Sequence, residues 1–275
     1  MSLVINTNIA SITAQRHLQN SRADMDQAME RLSSGKRINS AMDDAAGLTI
    51  AHSLDAKVTS LQQATRNAND AISLINLAEG ALDEVSSMLT RMRELAVQSL
   101  NGTYSSTDRS NLDSEYEALT TEITRISDNT TFNDISVIGA AASLTFQVGH
   151  TSSDTMSLTT VDMAAEALGS TTFVGSTSVS TTTLAAAALT VLDDAIADVD
   201  SYRATLGAVG NRLTHSAANL MTRSENQMAA RSRIEDADYA TEAANLAKAQ
   251  ILQQAGTSML SQANASTQTV LSLLK

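Results

Sequence analysis

No cysteine and no proline occur anywhere in the chain. The first absence excludes disulfides, thiolate metal sites and cysteine nucleophiles. The second removes the commonest helix breaker, so very long helices are open to this sequence, and it removes slow cis/trans steps from refolding. Tryptophan is absent too, and aromatics make up only 3% of residues. Leu, Ile, Val, Met and Ala must therefore form any core, and they suit helix–helix seams better than a thick globular interior. The first residues, Met1–Asn8, lack a basic stretch followed by an apolar one and do not read as a signal peptide. Export, if it occurs, is expected to proceed without a cleaved leader. No apolar run approaches the ~18 residues that a membrane span needs, so membrane insertion is not expected. The net charge of −12 disfavours nucleic acid and anionic membranes as partners. Lys and Arg are missing altogether between Arg125 and Arg203.

What is present is long heptad patterning. Leu54, Val58, Leu61, Thr65, Ala68, Ile72, Ile75, Glu79, Leu82, Ser86 and Leu89 step by four and three. So do Leu112, Tyr116, Leu119, Ile123 and Ile126, and again Leu192, Ile196, Val199, Arg203, Leu206, Gly210, Leu213, Ala217 and Leu220. Such spacing draws one stripe along one helix face and suits coiled-coil packing. A helix over 54–99 would be roughly 70 Å long at ~1.5 Å per residue, which predicts a rod. Both chain ends carry weaker seams: Leu18, Ser21, Met25, Ala28 and Leu32 near the start, and Leu246, Ala249, Gln253, Gly256, Leu260, Ala263, Thr267, Val270 and Leu274 near the end. Ordering costs roughly 1–2 kcal/mol per residue, more than one such seam returns. The ends are expected to stay largely disordered in the free chain and to fold against each other, and against neighbouring copies, on assembly.

Between residues 132 and 183 the helical period fails. Ser and Thr dominate, and patches such as Leu144-Thr145-Phe146-Gln147-Val148-Gly149 alternate like strands closed by Gly turns. The reading is mainly α: a long antiparallel coiled-coil or helical-bundle rod with a small, exposed, β-hairpin-rich insertion and the N- and C-terminal helices paired at one pole. Residues 1–43 with 234–275 form a terminal coiled-coil domain, and 44–233, including 132–183, a helical core domain.

Little in the chain points to chemistry. His17, His52, His150 and His215 are never three or four apart, so no helical metal pair exists. Asp43-Asp44, Asp193-Asp194 and Glu235-Asp236-Asp238 read as helix-start or solvated carboxylates, because adjacent helical residues do not share a face. Gly35-Lys36-Arg37 lacks the other residues of a phosphate loop. Asn39 or Ser40 is expected to cap a following helix, with Asp43 and Asp44 in its first turns. Neither a cofactor nor a metal is expected.

Taken together, Ile5–Asn8, Leu32–Leu48, Arg91–Ser99, Arg233–Ala240 and Gln250–Gly256 resemble bacterial flagellins. Ile5-Asn6-Thr7-Asn8 with Ala10-Ser11 is similar to their start. Residues Leu32–Leu48, running Leu-Ser-Ser-Gly-Lys-Arg-Ile-Asn-Ser-Ala-Met-Asp-Asp-Ala-Ala-Gly-Leu, resemble the segment joining terminal helix to core. Arg91-Met92-Arg93-Glu94-Leu95-Ala96-Val97-Gln98-Ser99 is similar to a core helix of the family, and Arg233–Ala240 with Gln250–Gly256 to its C-terminal region. The likeness runs over about 1–139 and 184–275 and departs in the short middle segment.

The resemblance implies a subunit of the bacterial flagellar filament, exported unfolded and assembled at the distal tip, with its termini lining the inner tube. It implies as partners further copies of the chain in a helical homopolymer, an export chaperone on about 235–275, and the cap and hook-junction proteins. A host Toll-like receptor that senses the core helices would meet Arg91, Leu95 and Glu115 at the matching positions. Arg93 with Glu115, or with a neighbour's acid, is a candidate pair between subunits. The terminal assembly seam would comprise Leu18, Met25, Leu32, Leu246, Leu260, Val270 and Leu274. Sugars are expected on Ser or Thr of 143–183 sooner than at the Asn101, Asn129 and Asn264 sequons. The competing readings are a hook–filament junction protein, a non-flagellar coiled-coil scaffold and, least supported, an enzyme.

Overall fold

The computed structural model describes residues 7–169 and 172–272, with side-chain surroundings through residue 265. The described chain is mainly helical: α1 (Ile9–Ser34), α2 (Ala45–Leu100), α3 (Ser106–Asn129), α4 (Thr182–Glu235) and α5 (Tyr239–Ser272). Two small hairpins sit between α3 and α4: β1 (Thr131–Phe132) with β2 (Ile135–Ser136), and β3 (Ser143–Gln147) with β4 (Thr155–Thr159).

Every helix starts on a polar residue that satisfies an orphan donor of the first turn. Asn8 Oδ1 accepts from Ser11 N, Asp44 Oδ1 from Gly47 N and Thr181 Oγ1 from Leu184 N. Asp238 Oδ1 accepts from Ala240 N. Ser105 and Asp108 form a reciprocal capping box at α3. The cap of α2 is thus Asp44, not Asn39 or Ser40. Those two instead donate to Asp43, whose Oδ2 accepts from Asn39 N at 3.1 Å and Ser40 N at 2.9 Å. A carboxylate offers more acceptor sites than a hydroxyl or amide, so Asp43 takes both amides of the turn. Helix α1 stops at Gly35, whose φ of +71° is the left-handed cap that favours glycine.

The chain divides into two compact units, Met1–Val58 with Asn226–Lys275, and Thr59–Glu225. The core of the second joins α2, α3 and α4, with Leu82, Leu89, Met92, Leu95, Tyr116, Ile123, Leu192, Val199 and Leu206 fully or almost fully buried. The buried face of α2 is centred one step aside from the stripe read in the sequence. Ala64, Ala71, Ala78, Val85 and Met92 are buried, while Thr65, Ile72, Glu79 and Ser86 are only half-buried. Alanine gives a faint hydrophobic signal, yet it lets helices approach closely. Glu79 and Arg203, the charged members of two stripes, pair with each other, Arg203 Nε donating to Glu79 Oε1 at 2.8 Å.

Residues 132–183 are not a surface appendage. Val137, Ile138, Leu158, Met163, Leu168, Val174 and Val179 are buried in the same core as the helices. Buried hydroxyls and a carboxylate pin the intervening backbone: Ser127 Oγ donates to Ile138 O, Ser99 Oγ to Val179 O, and Asp113 Oδ1 accepts from Val179 N at 2.6 Å. Fully burying each aliphatic side chain contributes about 1.5–3 kcal/mol, so a few anchors hold a segment that is otherwise Ser and Thr. The β1–β2 turn places Asn133 and Asp134 at φ of 50° and 63°, the two-residue hairpin geometry that Asn and Asp tolerate.

Candidate functional site

In the first unit α1 and α5 pack antiparallel. Asn8 Nδ2 donates to Ala263 O at 2.9 Å, Ser11 Oγ to Asn264 Oδ1 at 3.0 Å, and at the other end Arg31 Nη1 donates to Glu242 Oε1 at 3.0 Å. Of the seam positions read from sequence, Leu18, Met25, Leu32, Leu246 and Leu260 are half-buried. Val270 lies in α5 with its side chain outside the described residues, and Leu274 lies outside the described residues altogether. The fully buried places go to smaller or polar groups: Ser11, Ser21, Ala28, Glu242 and Ala249. Much apolar surface stays outside the pair. Ile9, Ile12, Ile251 and Met259 are 59–67% exposed, and a shallow groove of about 390 Å³ runs between Ala14, His17, Leu18, Ala255 and Met259.

The segments entering and leaving this pair are zipped together. Arg37 N donates to Glu235 O at 2.6 Å and Ala237 N to Gly35 O at 3.0 Å, an antiparallel bridge centred on Lys36 and Asp236. Side chains reinforce it: Lys36 Nζ lies 2.5 Å from Glu235 Oε1, Arg37 Nη2 donates to Ile234 O, and Arg231 pairs with Asp55. Asp43 and Asp238, which hold the turns on either side, titrate below the ordinary carboxylate value. Asp43 does so through the Ser40 and Asn39 amides, and Asp238 through the Thr241 side chain and the Ala240 amide.

In the second unit an exposed charge cluster crosses from α2 to α3. Arg91 Nε donates to Glu115 Oε1 at 3.0 Å and Arg91 Nη1 to Glu94 Oε2 at 2.9 Å. Bonding to Glu94 and then Glu115 raises the Arg91 guanidinium above its ordinary value. Arg93 pairs not with Glu115 but with Asp193 of α4, at 2.7 Å. Leu95 does not join this cluster. It is fully buried, so a partner could reach it only by opening the helix packing. The structure therefore brings Arg91 and Glu115 together at the surface and sets Leu95 in the core beneath.

Sequence reading missed Glu242 as a positioning group and placed Asp44 at the helix start without giving it the cap. Glu242 had a signal, since it stands one step before Leu246 in the α5 repeat. Among the described residues no cluster of three or more His, Asp or Glu could hold a metal, and no helix is long and apolar enough to cross a membrane.

Two family models match the chain: the N-terminal helical region of bacterial flagellin over residues 5–141, and the C-terminal helical region over 189–274. A flagellin of Halalkalibacterium halodurans is 43% identical over 276 residues, covering 99% of this chain and 100% of that one. A flagellin of Xenorhabdus nematophila is 42% identical over 316 residues, and the flagellar filament 33 kDa core protein of Treponema phagedenis 39% over 287, each covered in full. Among solved structures, Bacillus cereus flagellin superposes with a TM-score of 0.51 at 35% identity, over 60% of this chain and 94% of that one. A Vibrio parahaemolyticus protein described as flagellar hook-associated gives 0.61 at 16% identity over 70% of this chain and 100% of its own, a likeness of fold alone.

Proposed function

We propose that this chain, which belongs to the bacterial flagellin family, polymerises through its α1–α5 pair. It is a structural subunit of the flagellar filament. The observation that carries the assembly reading is the apolar surface of that pair, where Ile9, Ile12, Ile251 and Met259 remain more than half exposed among the described residues. Isolated exposed apolar residues are ordinary, but a thin helix pair that leaves this many of them uncovered gains stability from further copies. Subunits would fold their terminal pair against neighbours to form the inner tube, extracellularly and without membrane insertion. The second unit would bring its charged surface, Arg91 with Glu115 among it, to neighbouring subunits. Those two residues are also the proposed contacts of a host Toll-like receptor, with Leu95 supporting their helix from within. An export chaperone on about 235–275, the filament cap and the hook-junction proteins are proposed as the remaining partners.

Negative-stain electron microscopy of the purified chain, seeded with short filaments, tests this. Long uniform tubes are expected from the full chain. A truncation lacking 246–275 should form none while the 59–225 unit keeps its thermal transition. Normal tubes from the truncated chain would refute the role of the pair. Full-length protein that makes only short assemblies on a second protein would move the reading to a junction protein.

A further inference from the structure

The α1–α5 seam follows a seven-residue repeat on both sides. The inward positions run in alternating steps of three and four from Ser11 to Leu32 on α1, and from Glu242 to Ala263 on α5. In the observed alignment Leu18 sits over Gly256 and Arg31 meets Glu242. Now let α1 slide by one heptad, roughly 10 Å, toward the end of α5. Leu18 then comes opposite Ala263, Met25 opposite Gly256 and Leu32 opposite Ala249, again large against small at each level. The connections permit the slide on the α1 side. Residues 35–44 precede α2 and can extend to about 33 Å, whereas only residues 236–238 tie α5 to α4. The bridge at Lys36 and Asp236 and the side-chain bonds beside it would open. Within the seam itself, apolar packing therefore does not tell the two alignments apart; polar contacts do.

The ion pair is one of them. Glu242 is 7% exposed, accepts from Arg31 Nη1 at 3.0 Å and from Asn245 Nδ2 at 3.3 Å, and would lose Arg31 entirely after the slide. Its stabilising value is poor. Arg31 Nε is buried without a hydrogen-bond partner, and removing two charges from water costs more than seating an apolar pair of similar size. We propose that Arg31–Glu242 is a register lock: it favours one of two alignments of α1 on α5 whose apolar packing is alike, so that every copy presents the same terminal face. The consequence for the polymer rests on the assembly reading above; the lock itself does not.

The chain has no cysteine of its own, so engineered pairs can report the register. Ala14→Cys with Leu260→Cys marks the observed alignment, and Ser21→Cys with Leu260→Cys the slid one. Each pair is placed in the full-length parent and in a chain carrying Arg31→Leu and Glu242→Leu, which keeps the site filled and strands no buried charge. Under mild oxidation the parent is expected to favour the 14–260 disulfide by roughly tenfold or more. The double-leucine chain should form the 21–260 disulfide several-fold more than the parent does, with helix content unchanged, and the swap Arg31→Glu with Glu242→Arg should restore the parent's preference. A double-leucine chain that forms the 14–260 disulfide alone overturns the lock, and so does a parent that forms both equally. Filament yield is read on the same samples. Parent protein that cross-links as expected but never polymerises would sink the assembly reading and leave the lock standing.

Discussion

Leu18 occupies the space that a side chain at Gly256 would need: a β-carbon there would lie 3.0 Å from Leu18 Cδ1. Glycine inside a helix costs about 1 kcal/mol relative to alanine, so α5 gives up helix propensity at this point for a closer approach of α1. Gly256→Ala should be close to neutral, the propensity gain offsetting a slight displacement of Leu18. Gly256→Val should overpack the seam by about 1–3 kcal/mol. The critical concentration for polymerisation, measured by sedimentation, is expected to rise roughly tenfold or more with valine and to stay near that of the parent with alanine.

The two layers around Arg91 give opposite responses. Leu95→Ala removes a fully buried side chain and should cost about 2–5 kcal/mol, visible as a lower Tm of the 59–225 unit. Arg91→Ala and Glu115→Ala break an exposed pair that water screens, and should leave that Tm within experimental scatter. If these residues serve contacts between proteins, the two surface variants will weaken assembly or receptor response with folding intact. A Leu95 variant that keeps its Tm would contradict the burial described above.

Acid should act on the turns that start helices and on the β3–β4 turn. Asp43, Asp108, Asp154 and Asp238 all titrate below the ordinary value because N–H and O–H groups bond the charged form. Such a group contributes stability at any pH above its unfolded value of 3.8, and that contribution is lost as pH falls through the lower folded value. Stability followed by circular dichroism should therefore be flat down to about pH 4 on account of these groups and decline below it. Asp43→Asn is expected to flatten part of that acid limb while weakening the 39–44 turn at neutral pH.

Alkali acts through the buried phenols. Burial holds Tyr202 up to about 12 and raises Tyr116 as well, although Thr177 bonds the latter. A raised folded value means that stability is complete below the unfolded value near 10 and lost as pH climbs through the folded one. Thermal scans between pH 9 and 12 should show a falling Tm, with a shallower slope for Tyr202→Phe, which keeps the ring and removes the ionisation.

Much of the helical architecture could be read directly because its signal is periodic. Leu82, Leu89, Leu192, Val199 and Leu206 mark their faces by spacing alone. Alanine blurred the centre of the α2 face, since Ala64, Ala71 and Ala78 are buried without looking hydrophobic beside Ile72. The middle segment was the hardest to read. Its anchors, among them Val137, Leu158, Met163 and Val174, are spread thinly among Ser and Thr and obey no period, so composition reads as exposure while the fold buries them. Ion-pair partners were illegible for another reason. Arg93 and Asp193 are 100 residues apart, and no local rule links them, whereas the capping box of Ser105 and Asp108 spans three residues and is visible as a motif.

The bond from Asn8 to Ala263 joins groups 255 residues apart, which places it among the costliest loops the chain has to close. Closure entropy rises only by about 0.6 kcal/mol per doubling of loop length, but rate follows how local a contact is. Caps, hairpins and the α2–α3 turn can form early, because their partners lie close in sequence. The terminal pair must wait until both ends are free, and folding of 59–225 then shortens the remaining search. The order of events is thus written into contact distance: the part that would join copies together is the last to exist, so a chain that is still folding has little with which to polymerise.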